Sequence, residues 1–121
     1  MDASFSRDEQ LYRAVLPKDM FWEADGTVSS AAFSDRNGLS VDRGDYRADK
    51  EVIKKMMDNG LKGAIIKVTV GNCEDVSACV QYMPIPDNIY HSEIHGTKEK
   101  KYLTRGQRKK LAAMAVKVTT C

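Results

Sequence analysis

The only two histidines of the chain lie four residues apart, with a glutamate midway between them. In a strand, the period of two places His91, Glu93 and His95 on one face, and in a helical turn the two histidines still share a face. Imidazole and carboxylate groups can act as general acid and base, and they can also bind a divalent metal. The spacing differs from that of the zinc-binding helix motif, so we assign no metal. We name His91 and Glu93 as candidate catalytic residues and His95 as a candidate ligand-binding residue; purely structural roles are the alternative.

Arg13 is the second candidate, because it interrupts an apolar pattern. Residues 11–16 predict a strand in which Arg13 shares a face with Leu11 and Val15. A buried guanidinium needs a partner, since leaving the charge unpaired is costly. A bound phosphate would serve, which makes Arg13 a candidate ligand-binding residue. An exposed position on an edge strand is the alternative. The possible protein partners are Glu93 and the aspartates at positions 25, 35 and 42.

The segment 25–42 is rich in small and hydroxyl-bearing residues, which allow close approach of a ligand and can bind phosphate. It lacks the glycine and lysine spacing of a P-loop. We expect strands over 28–33 and 39–41, joined as a hairpin by the Asn37-Gly38 turn. Ser40 is the candidate ligand-binding residue of this segment. The alternative is a tightly packed hairpin with polar turns.

A third candidate is a basic helix near the end of the chain. Residues 91–121 hold eight Lys and Arg against two Glu, whereas the first ninety hold eleven against fifteen Asp and Glu. A capping-box pattern at Thr104 predicts the start of an amphipathic helix. Its basic face, with Arg105, Arg108 and Lys109, would contact nucleic acid or an acidic protein. A solvated helix face is the alternative.

The composition is that of a globular protein. The chain has 121 residues, of which 42% are hydrophobic and 30% charged, and no apolar run is long enough to cross a bilayer. The N-terminus has no signal-peptide pattern, so we expect a cytoplasmic protein with no membrane partner and reduced thiols at Cys73, Cys79 and Cys121. The pattern predicts one α+β domain over 1–121, mostly antiparallel sheet with two main helices, the first over 48–59.

The runs 11–15, 25–33, 38–42 and 91–94 together resemble a group of small uncharacterised bacterial proteins. This resemblance covers most of the chain and brings no activity with it. The order of Arg13, Ser40 and Glu93 also resembles that of the key residues in the ADP-ribosyltransferase fold. That second resemblance implies that Arg13 holds a cofactor phosphate, Ser40 supports the nicotinamide ribose and Glu93 orients the reacting hydroxyl.

The leading prediction is a polar cleft formed by Arg13, Ser40, His91 and Glu93 that binds a phosphate-bearing ligand such as a nucleotide. It requires Arg13 and Glu93 to lie within one cleft. The alternative is a non-enzymatic module that binds nucleic acid or an acidic protein through its last helix. A third is a purely structural or inhibitory partner protein. The sequence names no cofactor.

Overall fold

The computed structural model describes residues 1–119 and is built on a six-stranded antiparallel sheet, which confirms the predicted α+β class. The order of the strands in the sheet is β4-β5-β2-β1-β3-β6. The strands are β1 (Gln10–Val15), β2 (Leu39–Arg43), β3 (Ala64–Thr69), β4 (Cys79–Tyr82), β5 (His91–His95) and β6 (Val116–Lys117).

Two helices of ten residues confirm the two main helices predicted, and a shorter one lies between them. No helix within residues 1–119 is long and apolar enough to cross a bilayer. Cys121 lies outside the described residues. The helices are α1 (Asp49–Asp58), α2 (Val70–Asp75) and α3 (Arg105–Met114), with 3₁₀ turns at Asp19–Phe21 and Ser30–Phe33.

The larger core lies on one face of the sheet, where α2, α3 and the second 3₁₀ turn cover it. Alternate residues of the strands supply the sheet side of this core, as the period of two requires. Phe33, Cys73 and Leu111 pack against them from the turn and the two helices. The sheet residues of this core are Leu11, Val15, Leu39, Val41, Ile66, Val68 and Ile94.

The opposite face is only half covered. Helix α1 buries Val52 and Met56 against Tyr12 of β1 and Ile65 of β3. The neighbouring strands β2, β5 and β4 receive no helix on this side, and their residues here are mostly polar. The polar half of the sheet is therefore the part of the fold free to hold functional groups.

The predicted hairpin over 28–41 is wrong. Ser30–Phe33 forms a 3₁₀ turn instead of a strand, and Val28 makes only an isolated bridge with Trp22. Strand β2 pairs with β1 and β5, which are distant in sequence. Small residues without clear alternation leave a segment free to fold as a tight turn, and burial of Phe33 in the core decides the outcome here.

Two of the helices begin with a capping box. At the start of α2, Thr69 accepts from the Asn72 amide. The last helix begins at the predicted capping box, since Thr104 accepts from the Gln107 amide. It ends at Met114, and the chain then forms β6.

A buried ion pair joins the start of β1 to the end of β2. The Arg43 guanidinium donates Nε to Glu9 Oε2 at 2.7 Å and Nη2 to Glu9 Oε1 at 2.8 Å, with side-chain exposures of 3% and 1%. Arg43 also donates to the carbonyls of Asp2 and Ser4, and its guanidinium carbon lies 4.1 Å from the centroid of the Phe5 ring. The pair thereby fastens the N-terminal segment to the sheet.

We predict that Arg43→Met lowers the free energy of unfolding by about 3–5 kcal/mol, because it leaves the Glu9 carboxylate buried without its partner. Equilibrium urea denaturation measures the loss. Lys54→Met is the matched control, because it breaks the exposed pair with Asp58 and should change stability by less than about 0.5 kcal/mol. Similar small losses in both variants would show that the buried pair does not hold the fold together.

Candidate functional site

The histidine segment is a strand, and its polar residues share a face with polar residues of β2. Strand β5 lies antiparallel to β2, with Ser40 opposite Glu93 and Asp42 opposite His91. Because opposite residues in a sheet project to the same side, these four side chains and His95 lie on the polar half of the sheet. The structure thus brings the candidates at positions 40, 91, 93 and 95 to one surface.

Ser40 and His91 form a direct side-chain contact. The His91 Nδ1 atom lies 2.8 Å from the Met83 carbonyl oxygen, which can only accept a hydrogen bond. Nδ1 therefore carries a proton, and in the neutral ring Nε2 is an acceptor. Nε2 lies 3.4 Å from Ser40 Oγ, so the serine hydroxyl is the donor in this contact.

Glu93 and His95 form a second pair beside the first. Glu93 Oε1 and His95 Nε2 are 2.8 Å apart, and their side chains are 14% and 10% exposed. Gly38, immediately before β2, packs against both groups: a Cβ there would lie 2.5 Å from Glu93 Oε1 and 2.9 Å from His95 Nε2. The pair is enclosed by backbone, in contrast to the exposed Ser40.

Arg13 bridges two backbone segments instead of a carboxylate. Its Nε donates to the Ala32 carbonyl at 2.9 Å and its Nη1 to the Ser40 carbonyl at 2.8 Å. Burial lowers the pKa of the Arg13 guanidinium, and the charge of Asp35 opposes that shift. The ladder between β1 and β2 has only two residue pairs, which involve Leu11 and Tyr12 of β1. The bond from Arg13 to the Ser40 carbonyl lies just beyond the second of these pairs.

One edge of the guanidinium reaches solvent. Within residues 1–119, Arg13 Nη2 forms no hydrogen bond, and no buried side-chain nitrogen or oxygen lacks a partner. The Nη2 group of Arg13 is therefore not fully buried, on a side chain that is otherwise fixed by two hydrogen bonds.

A cleft of about 250 Å³ brings two of the candidates together. Ser40 and His91 line it from β2 and β5, and Arg13 of β1 borders it, although the Arg13 side chain lies on the opposite face of the sheet with Leu11 and Val15. Glu93 and His95 are not among the lining residues, so the predicted cleft that contains both Arg13 and Glu93 is wrong. The other residues that line this central cleft are Tyr12, Ala14, Val41, Asp42, Met56, Leu61 and Asn88.

Sequence reasoning missed Asn88, although it shapes this cleft. Its Nδ2 donates to Asp42 Oδ1 at 2.8 Å, and its Oδ1 accepts from the Tyr90 amide. These bonds fasten the connection between β4 and β5 over the polar half of the sheet. Asn88 follows Pro84-Ile85-Pro86-Asp87, a run typical of a turn. The sequence therefore contains a signal for the turn but none for the hydrogen bond between Asn88 and Asp42.

The tyrosine of the cleft is engaged elsewhere. The Tyr12 hydroxyl donates to Asp49 of α1, and Lys67 donates to the same carboxylate at 3.1 Å. Burial, reinforced by Asp49, raises the pKa of Tyr12, while the Tyr12 hydroxyl, followed by Lys67, holds the pKa of Asp49 below its usual value. Tyr12 is thus a protonated wall of the cleft, and Ser40 and His91 are the groups placed for proton transfer.

Among the described residues, no three His, Cys, Asp or Glu side chains are grouped to hold a metal ion.

The basic candidates lie on the far side of the sheet, on α3. Arg105 and Lys109 are exposed, whereas Arg108 is half-buried and donates Nη1 to the Leu103 carbonyl at 2.6 Å. None of the cations between positions 98 and 110 forms a salt bridge with another described residue. The other exposed members of this basic surface are Lys98, Lys100, Lys101 and Lys110.

No family model, curated protein or solved structure matches the chain. Arg13, Ser40 and Glu93, on which the resemblance to ADP-ribosyltransferases depends, lie on three strands that are neighbours in the sheet. Both resemblances stay predictions.

We predict that Gly38→Ala is more destabilising than Gly26→Ala. Both glycines have a positive φ, of +97° and +89°, so both variants incur about 1–2 kcal/mol of backbone strain. Only at Gly38 does the added Cβ meet the Glu93–His95 pair, whereas at Gly26 it meets nothing within 4 Å. We expect Gly38→Ala to lose about a further 1–3 kcal/mol.

Urea denaturation of both variants measures this difference, and the NMR signals of the His95 ring report whether the pair has moved. Equal losses in the two variants, with unchanged His95 signals, would contradict tight packing of the pair against Gly38.

Proposed function

We propose that the chain is a cytoplasmic bacterial protein that binds a phosphate-bearing ligand, such as a nucleotide, in the central cleft. The observation that carries the proposal is that Ser40 and His91, from two neighbouring strands, present a hydroxyl and an imidazole to that cleft. Both groups bind phosphate oxygens in proteins.

Arg13 supports this proposal from the other face of the sheet. Its hydrogen bonds to the Ala32 and Ser40 carbonyls fix the backbone of Ser40 before any ligand arrives, so less conformational entropy is lost on binding. The neighbouring carboxylate of Asp42, which would repel a phosphate, accepts a hydrogen bond from Asn88.

Glu93 does not contact the ligand directly in this proposal. Its carboxylate is paired with His95, so ligand contact through Glu93 would require that pair to open. An ADP-ribosyltransferase-like reaction, in which Glu93 orients a hydroxyl, therefore includes a rearrangement as well as binding. We keep it as the less direct form of the proposal.

We predict that the protein binds inorganic phosphate and adenosine monophosphate, and that Arg13→Lys weakens both about tenfold, because lysine lacks the planar fork that holds the Ala32 and Ser40 carbonyls together. Isothermal titration calorimetry measures the affinities. Arg7→Lys is the matched control, since Arg7 is exposed at the other end of β1 and pairs with Asp75.

A second readout does not depend on the stability of the variants. Phosphate added to the wild-type protein should shift the NMR amide signals of Ser40, His91 and Asn88 more than those of α3. Absence of binding, or equal affinity in Arg13→Lys and wild type, would overturn the proposal.

The basic surface supports a second candidate function, contact with the backbone of a nucleic acid. Seven cations lie within 98–110 and make no salt bridge to described residues, and Tyr102 among them is 49% exposed. Such a surface gains affinity by displacing counterions from phosphates. It lies on the helical side of the sheet, away from the central cleft, so the two functions are separable.

We predict that the triple variant Arg105→Ala, Arg108→Ala and Lys109→Ala weakens binding to duplex DNA and lowers the slope of log K against log salt by about two to three. Fluorescence anisotropy at several salt concentrations measures both. The control replaces Lys50, Lys54 and Lys55 of α1, which are exposed and carry the same charge. Equal effects of the two triple variants would remove α3 as the specific surface.

A further inference from the structure

Ser40 and His91 have the arrangement of an activated nucleophile and its base. The Met83 carbonyl fixes the proton on His91 Nδ1, so the lone pair of Nε2 in the neutral ring faces the Ser40 hydroxyl. A serine is activated for attack when its hydroxyl is hydrogen-bonded to a base and a third group holds that base in position. The separation of 3.4 Å is of the kind that shortens when a substrate is bound.

The elements that carry the two residues are rigid and adjacent. Ser40 is in β2 and His91 in β5, which pair over four registered residues. The Met83 amide also donates to the His91 carbonyl at 3.1 Å. Met83, whose carbonyl orients the imidazole ring, is therefore joined to His91 by two hydrogen bonds. The exposed Ser40 hydroxyl can be reached by a ligand in the cleft.

The two nearest carboxylates are engaged by other donors. Asp42 accepts from Asn88, and Glu93 pairs with His95. Ser40 therefore has His91 as its side-chain partner, and this imidazole is the group placed to take its proton.

We propose that Ser40 is a nucleophile that takes the phosphoryl group from a phosphate monoester, with His91 as general base. This step rests on the proposed binding of a phosphate-bearing ligand in the same cleft. Ser40 Oγ forms a bond to phosphorus as the P–O bond to the leaving alcohol breaks. The Ser40 proton passes to His91 Nε2 and then to the leaving oxygen. Water, deprotonated by His91, then attacks the phosphoserine, releases inorganic phosphate and restores the Ser40 hydroxyl.

Arg13 positions the nucleophilic residue from the opposite face of the sheet. Its Nη1 donates to the Ser40 carbonyl at 2.8 Å and its Nε to the Ala32 carbonyl at 2.9 Å. These bonds hold the backbone of Ser40 where the ladder between β1 and β2 has ended. Arg13 is therefore a positioning residue, and Ser40 and His91 are the groups that contact the phosphate monoester.

The test uses the full chain with p-nitrophenyl phosphate. We expect release of p-nitrophenolate, and peptide mass spectrometry after acid quenching should find phosphate on Ser40. Ser40→Ala should abolish both signals, and phosphate binding by the wild-type protein is measured separately by calorimetry. His91→Asn should lower the rate by about a hundredfold or more, because it removes the base.

Ser34→Ala is the matched control, since Ser34 is exposed and precedes β2 but does not line the central cleft. Its rate should equal that of wild type, and urea denaturation of each variant checks that it is folded. Phosphate binding without turnover, or turnover that survives Ser40→Ala or His91→Asn, would overturn the nucleophile and leave the binding proposal standing. Absence of both binding and turnover would overturn the two together.

Discussion

The ion pair between Glu9 and Arg43 is the constraint on which the rest of the sheet depends. Two charges leave water at this point, and the cost is met only because both carboxylate oxygens and three guanidinium nitrogens find partners. The pair closes β1 against β2 at one end. Because the registered ladder between these strands ends after Tyr12, the other end is held by the Arg13 hydrogen bond to the Ser40 carbonyl. The central cleft opens beside this short ladder, so the same feature that weakens the pairing of the strands creates room for a ligand.

The uneven covering of the second face explains why the polar residues gather where they do. Helix α1 lies over β1 and β3, so apolar residues are retained there, and the strands beyond it have no helix to bury them. Polar groups on those strands remain near solvent and satisfy each other across the sheet, as Glu93 and His95 do. The result is an organised polar surface that is held by strands instead of by mobile loops.

The sequence predicts which residues share a face of the sheet better than it predicts which residues they contact. The period of two correctly placed His91, Glu93 and His95 on one face of a strand, and it identified Arg13 as a charge in an apolar row. The same period places Glu9 two residues before Leu11, and Arg43 two residues after Val41, so a signal for both buried charges was present. What local pattern cannot supply is the partner, because Glu9 and Arg43 meet only when distant strands pair. For the same reason the pattern suggested a carboxylate for Arg13, whereas the fold provides two carbonyls.

The order of the strands has a consequence for how the chain reaches its native state. Strand β1 lies inside the sheet, yet its two neighbours are β2, reached only after the long 16–38 segment, and β3, which follows α1. Only β4 and β5 are joined by a short connection. The central pairings therefore close large loops before any contact compensates for the lost chain entropy, which is the property of slowly folding topologies. During synthesis β1 emerges first and must wait for both neighbours, and its exposed edges are then open to pairing with other chains.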